Sequence, residues 1–181
     1  MACCIIRRSN LARFTVVDRL SSHTAQFAMP KSPPSALRVA SQILWIGSLQ
    51  SRLFTPMQLL KLSYISHGWT LGLCDHPLFR DDVEAWKYGP VIPSVYHKYK
   101  RFGYSHIRVR LKDRRSSFEE TMHGIMIRVV KVYGMYDGLH LSALTHQPDT
   151  PWDIVIKEYG EGATISRDVI GNYYKRLSKG T

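Results

Sequence analysis

The sequence predicts an α+β fold: a single, predominantly helical domain carrying a small two- or three-stranded β wing. Three observations predict it. Apolar residues recur at helical spacing in several segments, most of them opened by a residue able to cap a helix. Between these segments, stretches around 84–87 and 106–111 alternate apolar and polar residues as short strands do. Finally, 181 residues that are 44% hydrophobic and 22% charged suit one buried core better than disorder or repeats.

The first segment, through Met29, is rich in Arg and Ser, holds one acid, Asp18, and lacks a signal-peptide apolar core. Residues 1–34 are therefore expected to be a loose, dispensable extension, and 35–178 the domain. From Ser35 a helix runs with Val39, Ala40, Ile43 and Leu44 on one side. Thr55, Pro56 and Gln58 then open a second, with Met57, Leu60, Tyr64, Ile65 and Trp69 on a wide apolar face. DVEAWKYG reads as a short strand, Gly89-Pro90 as a rigid turn, and SVYHKYKRFG as a helix capped by Ser94 and stopped by Gly103. SHIRVRL puts Ile107, Val109 and Leu111 on one face and His106, Arg108 and Arg110 on the other. Neither strand would stand alone, so the two are expected to pair. Ser117 and Glu120 form a further capping box before a helix with Ile125, Val129 and Val132 inward. Thr150, Pro151 and Asp153 open a short helix ending at Gly160, and Ser166 opens the last, with Val169, Ile170, Tyr173 and Leu177 inward.

Three cysteines, Cys3, Cys4 and Cys74, are too few and too irregularly spaced for a disulfide framework, which favours a reducing, cytoplasmic setting. No apolar run has the length of a membrane span, so no membrane association is expected. Eight histidines include no HExxH and no metal-ligand pairing with cysteine, and neither a nucleophile elbow nor a phosphate-binding glycine loop occurs. No catalytic residue, metal or cofactor is expected. The net charge of +11 admits nucleic acid or acidic protein as partner. Its main concentration, Lys98, Lys100, Arg101, Arg108, Arg110 and Lys112, is a candidate partner-binding patch. A helix-turn-helix over 36–47 and 56–70 is the DNA-binding alternative. Against it, the second helix is apolar over much of its surface, where base reading needs an exposed polar face.

Three blocks carry a resemblance. They are LLKLSYISHGW, with Lys61, Leu62, Tyr64, Gly68 and Trp69; EAWKYGPVIPSVY, with Glu84, Ala85, Trp86, Gly89, Pro90, Val91 and Tyr96; and LSALTHQPDTPWDIV, with Leu144, Thr145, His146, Pro151 and Trp152. In this order and spacing, with Ile165, Ile170 and Tyr173 behind them, residues 36–177 resemble the Panacea family, which includes SocA-like antitoxins and phage-associated proteins of the GepA type. The resemblance implies an antitoxin that neutralises a cognate protein toxin, usually encoded by a neighbouring gene, by direct binding and without catalysis. The alternative is a DNA-binding regulator of a prophage or mobile element. The shared residues suit a scaffold. Trp86 would anchor the wing, Glu84 would pair with Lys61, and Thr145-His146 would hold one helix end against Trp152. Deleting residues 1–28 is expected to leave the melting temperature nearly unchanged; a fall of many degrees would place Phe14, Val16 and Val17 in the core.

Overall fold

A computed structural model describes residues 32–108 and 118–180. The chain forms α1 (Ala36–Leu49), α2 (Pro56–Cys74), β1 (Glu84–Trp86), β2 (Gly89–Val91) and α3 (Pro93–Tyr99), the last running into a 3-10 turn at Lys100–Phe102. Four helices follow: α4 (Glu120–Tyr133), α5 (Gly138–Thr145), α6 (Pro151–Tyr159) and α7 (Arg167–Ser178). The fold is predominantly helical with a small two-stranded β element. Among the described residues no helix is long and apolar enough to cross a membrane.

The centre is α2, every residue of which is buried from Leu59 to Gly72. Its start is the predicted capping box: Gln58 N–H donates to Thr55 Oγ1, and the Thr55 N–H donates to Gln58 Oε1. Around it pack α1, α3, α4, α5, α7 and β2. The closest approach is to α7, and glycine makes it possible. A Cβ at Gly68 would stand 2.1 Å from Tyr174 Cε2, and one at Gly72 only 2.8 Å from the Tyr174 carbonyl carbon. Tyr174 fills the seam, edge-on to Trp69 at 5.2 Å and to Tyr64 at 6.3 Å between ring centroids. It is thus Tyr174 that α7 buries with Ile170, whereas Tyr173 is half-buried.

The wing differs in composition from the sequence reading. β1 pairs antiparallel with β2, Glu84 opposite Val91 and Trp86 opposite Gly89, so the turn is Lys87-Tyr88 while Gly89-Pro90 lies within β2. The other edge of β1 is also taken: Ala85 N–H donates to the Ala163 carbonyl and Gly162 N–H to the Ala85 carbonyl, both at 2.8 Å. That leaves no edge of β1 for 106–111. Ile107 instead donates its N–H to the Phe54 carbonyl at 2.8 Å, while Val109 and Leu111 lie outside the described residues.

Two helix starts also differ. Ile92 precedes α3, and Ser94 does not cap it; its hydroxyl donates to Asp81 Oδ1 at 2.6 Å. The other oxygen of Asp81 accepts the Ala36 N–H at 2.8 Å, so one loop carboxylate serves the first turn of α1 and ties α3 to it. α4 begins at Glu120 behind Glu119, and Ser117 lies outside the described residues.

At Gly72 the obstructing atoms are the Tyr174 Cβ and carbonyl carbon and the Lys175 nitrogen, none of which can swing aside by a side-chain rotation, so accommodating a methyl group requires the helices to part. Gly72→Ala is expected to cost about 1–3 kcal/mol and to lower the thermal midpoint by several degrees. Gly124→Ala, where a Cβ would meet nothing within 4 Å, is expected not to lower it.

Candidate functional site: a hairpin corner held by a buried lysine

The hairpin β1–β2 presents alternate carbonyls to the helices beneath it, and side chains from three helices meet them. Lys61 Nζ, from α2, donates to the Tyr88 carbonyl at 2.6 Å and the Pro90 carbonyl at 3.0 Å. Ser142 Oγ, from α5, donates to the same Tyr88 carbonyl at 2.9 Å. Trp152 Nε1, at the start of α6, donates to the Trp86 carbonyl at 2.8 Å. A short hairpin buried against helices would otherwise strand these acceptors.

Gly89 is where hairpin and helices come closest. Its φ is +97°, and a Cβ there would stand 2.6 Å from Lys61 Nζ and 2.7 Å from Thr145 Oγ1. Pro90 suits the edge strand because it has no N–H to satisfy. One face of α5 supplies the rest. Thr145 Oγ1 donates to the Ser142 carbonyl at 2.8 Å, and His146 Nδ1–H donates to it at 2.6 Å. The His146 ring lies 3.8 Å, centroid to centroid, from Trp152. Thr150, behind Pro151, donates to the Thr145 carbonyl at 2.8 Å and closes the link between α5 and α6. Ser142 stood outside the sequence reading, although Ser142, Thr145 and His146 at i, i+3 and i+4 share one face of a helix.

Glu84 does not pair with Lys61. Its Oε2 accepts from Trp86 Nε1 at 2.7 Å, two residues along the same strand and on the same face. Successive side chains of a strand point to opposite faces, so Glu84 and Trp86 share one. Lys61 needs no carboxylate because backbone oxygens surround it. Trp86 is half-buried and edge-on to Tyr96 at 4.9 Å, and Lys100 Nζ stands 5.8 Å from the Tyr96 ring. The outside of the corner is thus a partly exposed row of Trp152, Trp86 and Tyr96.

Of the other residues singled out from the sequence, Tyr64 lines a small cleft together with Thr145 and Pro151, and Trp69 packs on Tyr174. Lys98, Lys100, Arg101 and Arg108 are exposed, while Arg110 and Lys112 lie outside the described residues. The helix-turn-helix alternative fails on geometry, since α2 would be the recognition helix and has no free face to enter a groove.

Lys61 is 1% exposed, and burial pulls its pKa from 10.5 down to about 7. An amine titrating near neutrality is a familiar catalytic device. Here its hydrogens point at backbone carbonyls and solvent has no access, so the arrangement supports structure. Deprotonation does not dissolve the corner, because a neutral amine still has two N–H bonds to donate. Among the described residues no three His, Cys, Asp or Glu side chains converge as metal ligands.

The corner and its helical supports fall inside a recognisable family. The family model described as "Antitoxin SocA-like, Panacea domain" matches residues 59–153, from the first turns of α2 to the first turn of α6. The chain belongs to this family. Antitoxin SocA of Caulobacter vibrioides (strain NA1000 / CB15N) is 32% identical over 133 residues, which cover 66% of this chain and 71% of that protein. No solved structure matches the chain. All of Lys61, Tyr64, Trp69, Glu84, Trp86, Gly89, Pro90, Tyr96, Thr145, His146, Pro151 and Trp152 lie within the matched span.

The lysine yields a test with a definite sign. Its folded-state pKa lies below the unfolded one, so between about pH 7 and 10.5 the unfolded chain holds the additional proton. Stability contributed by this group therefore rises with pH across that window. Lys61→Met is expected to destabilise the protein by about 1–3 kcal/mol, because it strands the Pro90 carbonyl and leaves the Tyr88 carbonyl to Ser142 alone. The difference between wild-type and variant unfolding curves should depend on pH in the same window. In a double-mutant cycle, Glu84→Gln should show almost no coupling to it.

Proposed function

We propose that this protein is the antitoxin of a toxin–antitoxin pair and neutralises a cognate protein toxin by binding it directly. The observation that carries this reading is the match to the antitoxin family across the span that builds the lysine-held corner. Direct binding is supported by the kind of structure that span forms. The corner's side-chain bonds end on backbone carbonyls and on one another, which makes a rigid platform, and rigid platforms lose little entropy on association. Its outer surface offers Trp and Tyr, the residue types that dominate binding energy at protein interfaces, beside the exposed cations of α3 and the turn after it.

In this reading the toxin is a separate polypeptide encoded by a neighbouring gene, and the antitoxin meets it in the cytoplasm. Each neighbouring gene is expressed alone and then together with this chain. One product is expected to arrest growth alone and to be tolerated in co-expression, and the two proteins should co-purify. A set of neighbours with no toxic member, or rescue without any physical complex, would overturn direct neutralisation.

A further inference from the structure

Apolar side chains that the core does not use gather at one end of the helical bundle. Phe54, in the link between α1 and α2, organises that end. Its ring lies against Gly47 and Gly134, and its carbonyl holds Ile107. Nearby, Gln58 Nε2 donates to the Tyr136 carbonyl at 2.9 Å, and Met57 lies against Gly138. These contacts bring the α1–α2 link, the α4–α5 turn and the segment after α3 together. From these places and the ends of α1 and α5 that adjoin them, Leu49 (65% exposed), Leu53 (46%), Tyr104 (98%), Met135 (67%) and Leu139 (74%) face solvent.

The charge at this end is one-sided. Arg52, Lys100, Arg101, Arg108 and Lys131 stand in these segments or directly beside them, against a single carboxylate, Asp137, which the His140 N–H and ring already engage. Among the described residues none of the five cations forms an ion pair. We infer that this end of the bundle docks an acidic protein segment that sets apolar side chains among its Asp and Glu. The inference rests on the antitoxin reading, in which that segment belongs to the toxin.

Charge selects among the possible occupants. A second copy of a +11 chain would bring like charge to like. The chain's own remaining segments have the same sign: residues 1–31 hold Arg7, Arg8, Arg13, Arg19 and Lys31 against Asp18, and residues 109–117 hold Arg110, Lys112, Arg114 and Arg115 against Asp113. Nucleic acid would satisfy the cations yet leave four exposed Leu and Met side chains in water. An acidic segment with apolar anchors answers both features, with the apolar contacts supplying affinity and the charges supplying orientation and encounter rate.

The test uses the full chain and the toxin found by co-expression. Leu53→Asp, Leu139→Asp and the double variant Lys100→Glu/Arg101→Glu are compared with wild type by titration calorimetry, and each is checked for an unchanged thermal midpoint. Each is expected to weaken binding at least tenfold. The effect of the charge variant should shrink as salt rises, while the wild type keeps most of its affinity through the apolar contacts. Leu73→Asp, which alters an exposed leucine at the opposite end of α2, should bind as wild type does. Wild-type affinity in the folded end variants overturns this surface alone. A wild-type protein that binds no neighbour-encoded product overturns it together with the antitoxin reading. It is equally overturned if Leu139→Asp only converts a dimer to a monomer, or if the charge variant loses duplex DNA and nothing else.

Discussion

An ammonium group sealed among backbone carbonyls is the constraint on which the corner depends. Lys61 sits on the central helix, and its two bonds fix where β2 must lie. That position in turn demands glycine at 89, since any side chain would collide with the lysine and with Thr145. A lysine is an expensive choice for such a place, as its lowered pKa attests. It is also well matched to the geometry. One flexible stem delivers several donors to two carbonyls of the hairpin, one in its turn and one in β2, which a hydroxyl or an indole could not do.

The rest of the fold follows from burying α2 on every side. A helix without a solvent face must be covered all round, which requires partners to approach closely somewhere. The glycine seam against Tyr174 is that place. Gly68 and Gly72, one turn apart, make room for a phenol ring and for the α7 backbone. The tyrosine ring is held in turn by Trp69 and Tyr64. Burial pushes the Tyr174 hydroxyl well above its usual range and that of Tyr133 up to about 12, so both phenols are neutral at neutral pH.

Much of this was legible in the sequence. Thr55 with Gln58, Thr150 and Ser166 mark three helix starts because capping is local chemistry, decided within four residues. The helical class and the small wing follow from periodicity. Two errors are local, the turn placed at Gly89-Pro90 instead of Lys87-Tyr88 and Tyr173 taken as inward instead of Tyr174; the others concern partners distant in sequence. Ser94 has the spacing of a cap but is drawn to Asp81, and α1 obtains its first-turn acceptor from that same remote carboxylate. Glu84 and Lys61 are opposite charges that a one-dimensional reading brings together. The strand's pleat puts the carboxylate on the same face as the Trp86 indole, away from the lysine. Strand pairing was misassigned for the same reason: alternation identifies a strand without naming its neighbour, and both edges of β1 were filled by segments too short to announce themselves.

Those filled edges bear on how partners can be recognised. Proteins often capture one another by lending a strand to an open sheet, a mode that reads backbone and is tolerant of sequence. This sheet offers little for it. β1 is enclosed between β2 and residues 162–165, and β2 contains a proline and spends its carbonyl at Pro90 on the lysine. A partner denied that mode would read side chains, which can be exchanged one at a time on an unchanged frame. Such a frame can move between partners by surface substitution alone, keeping its interior while its vocabulary of contacts is rewritten.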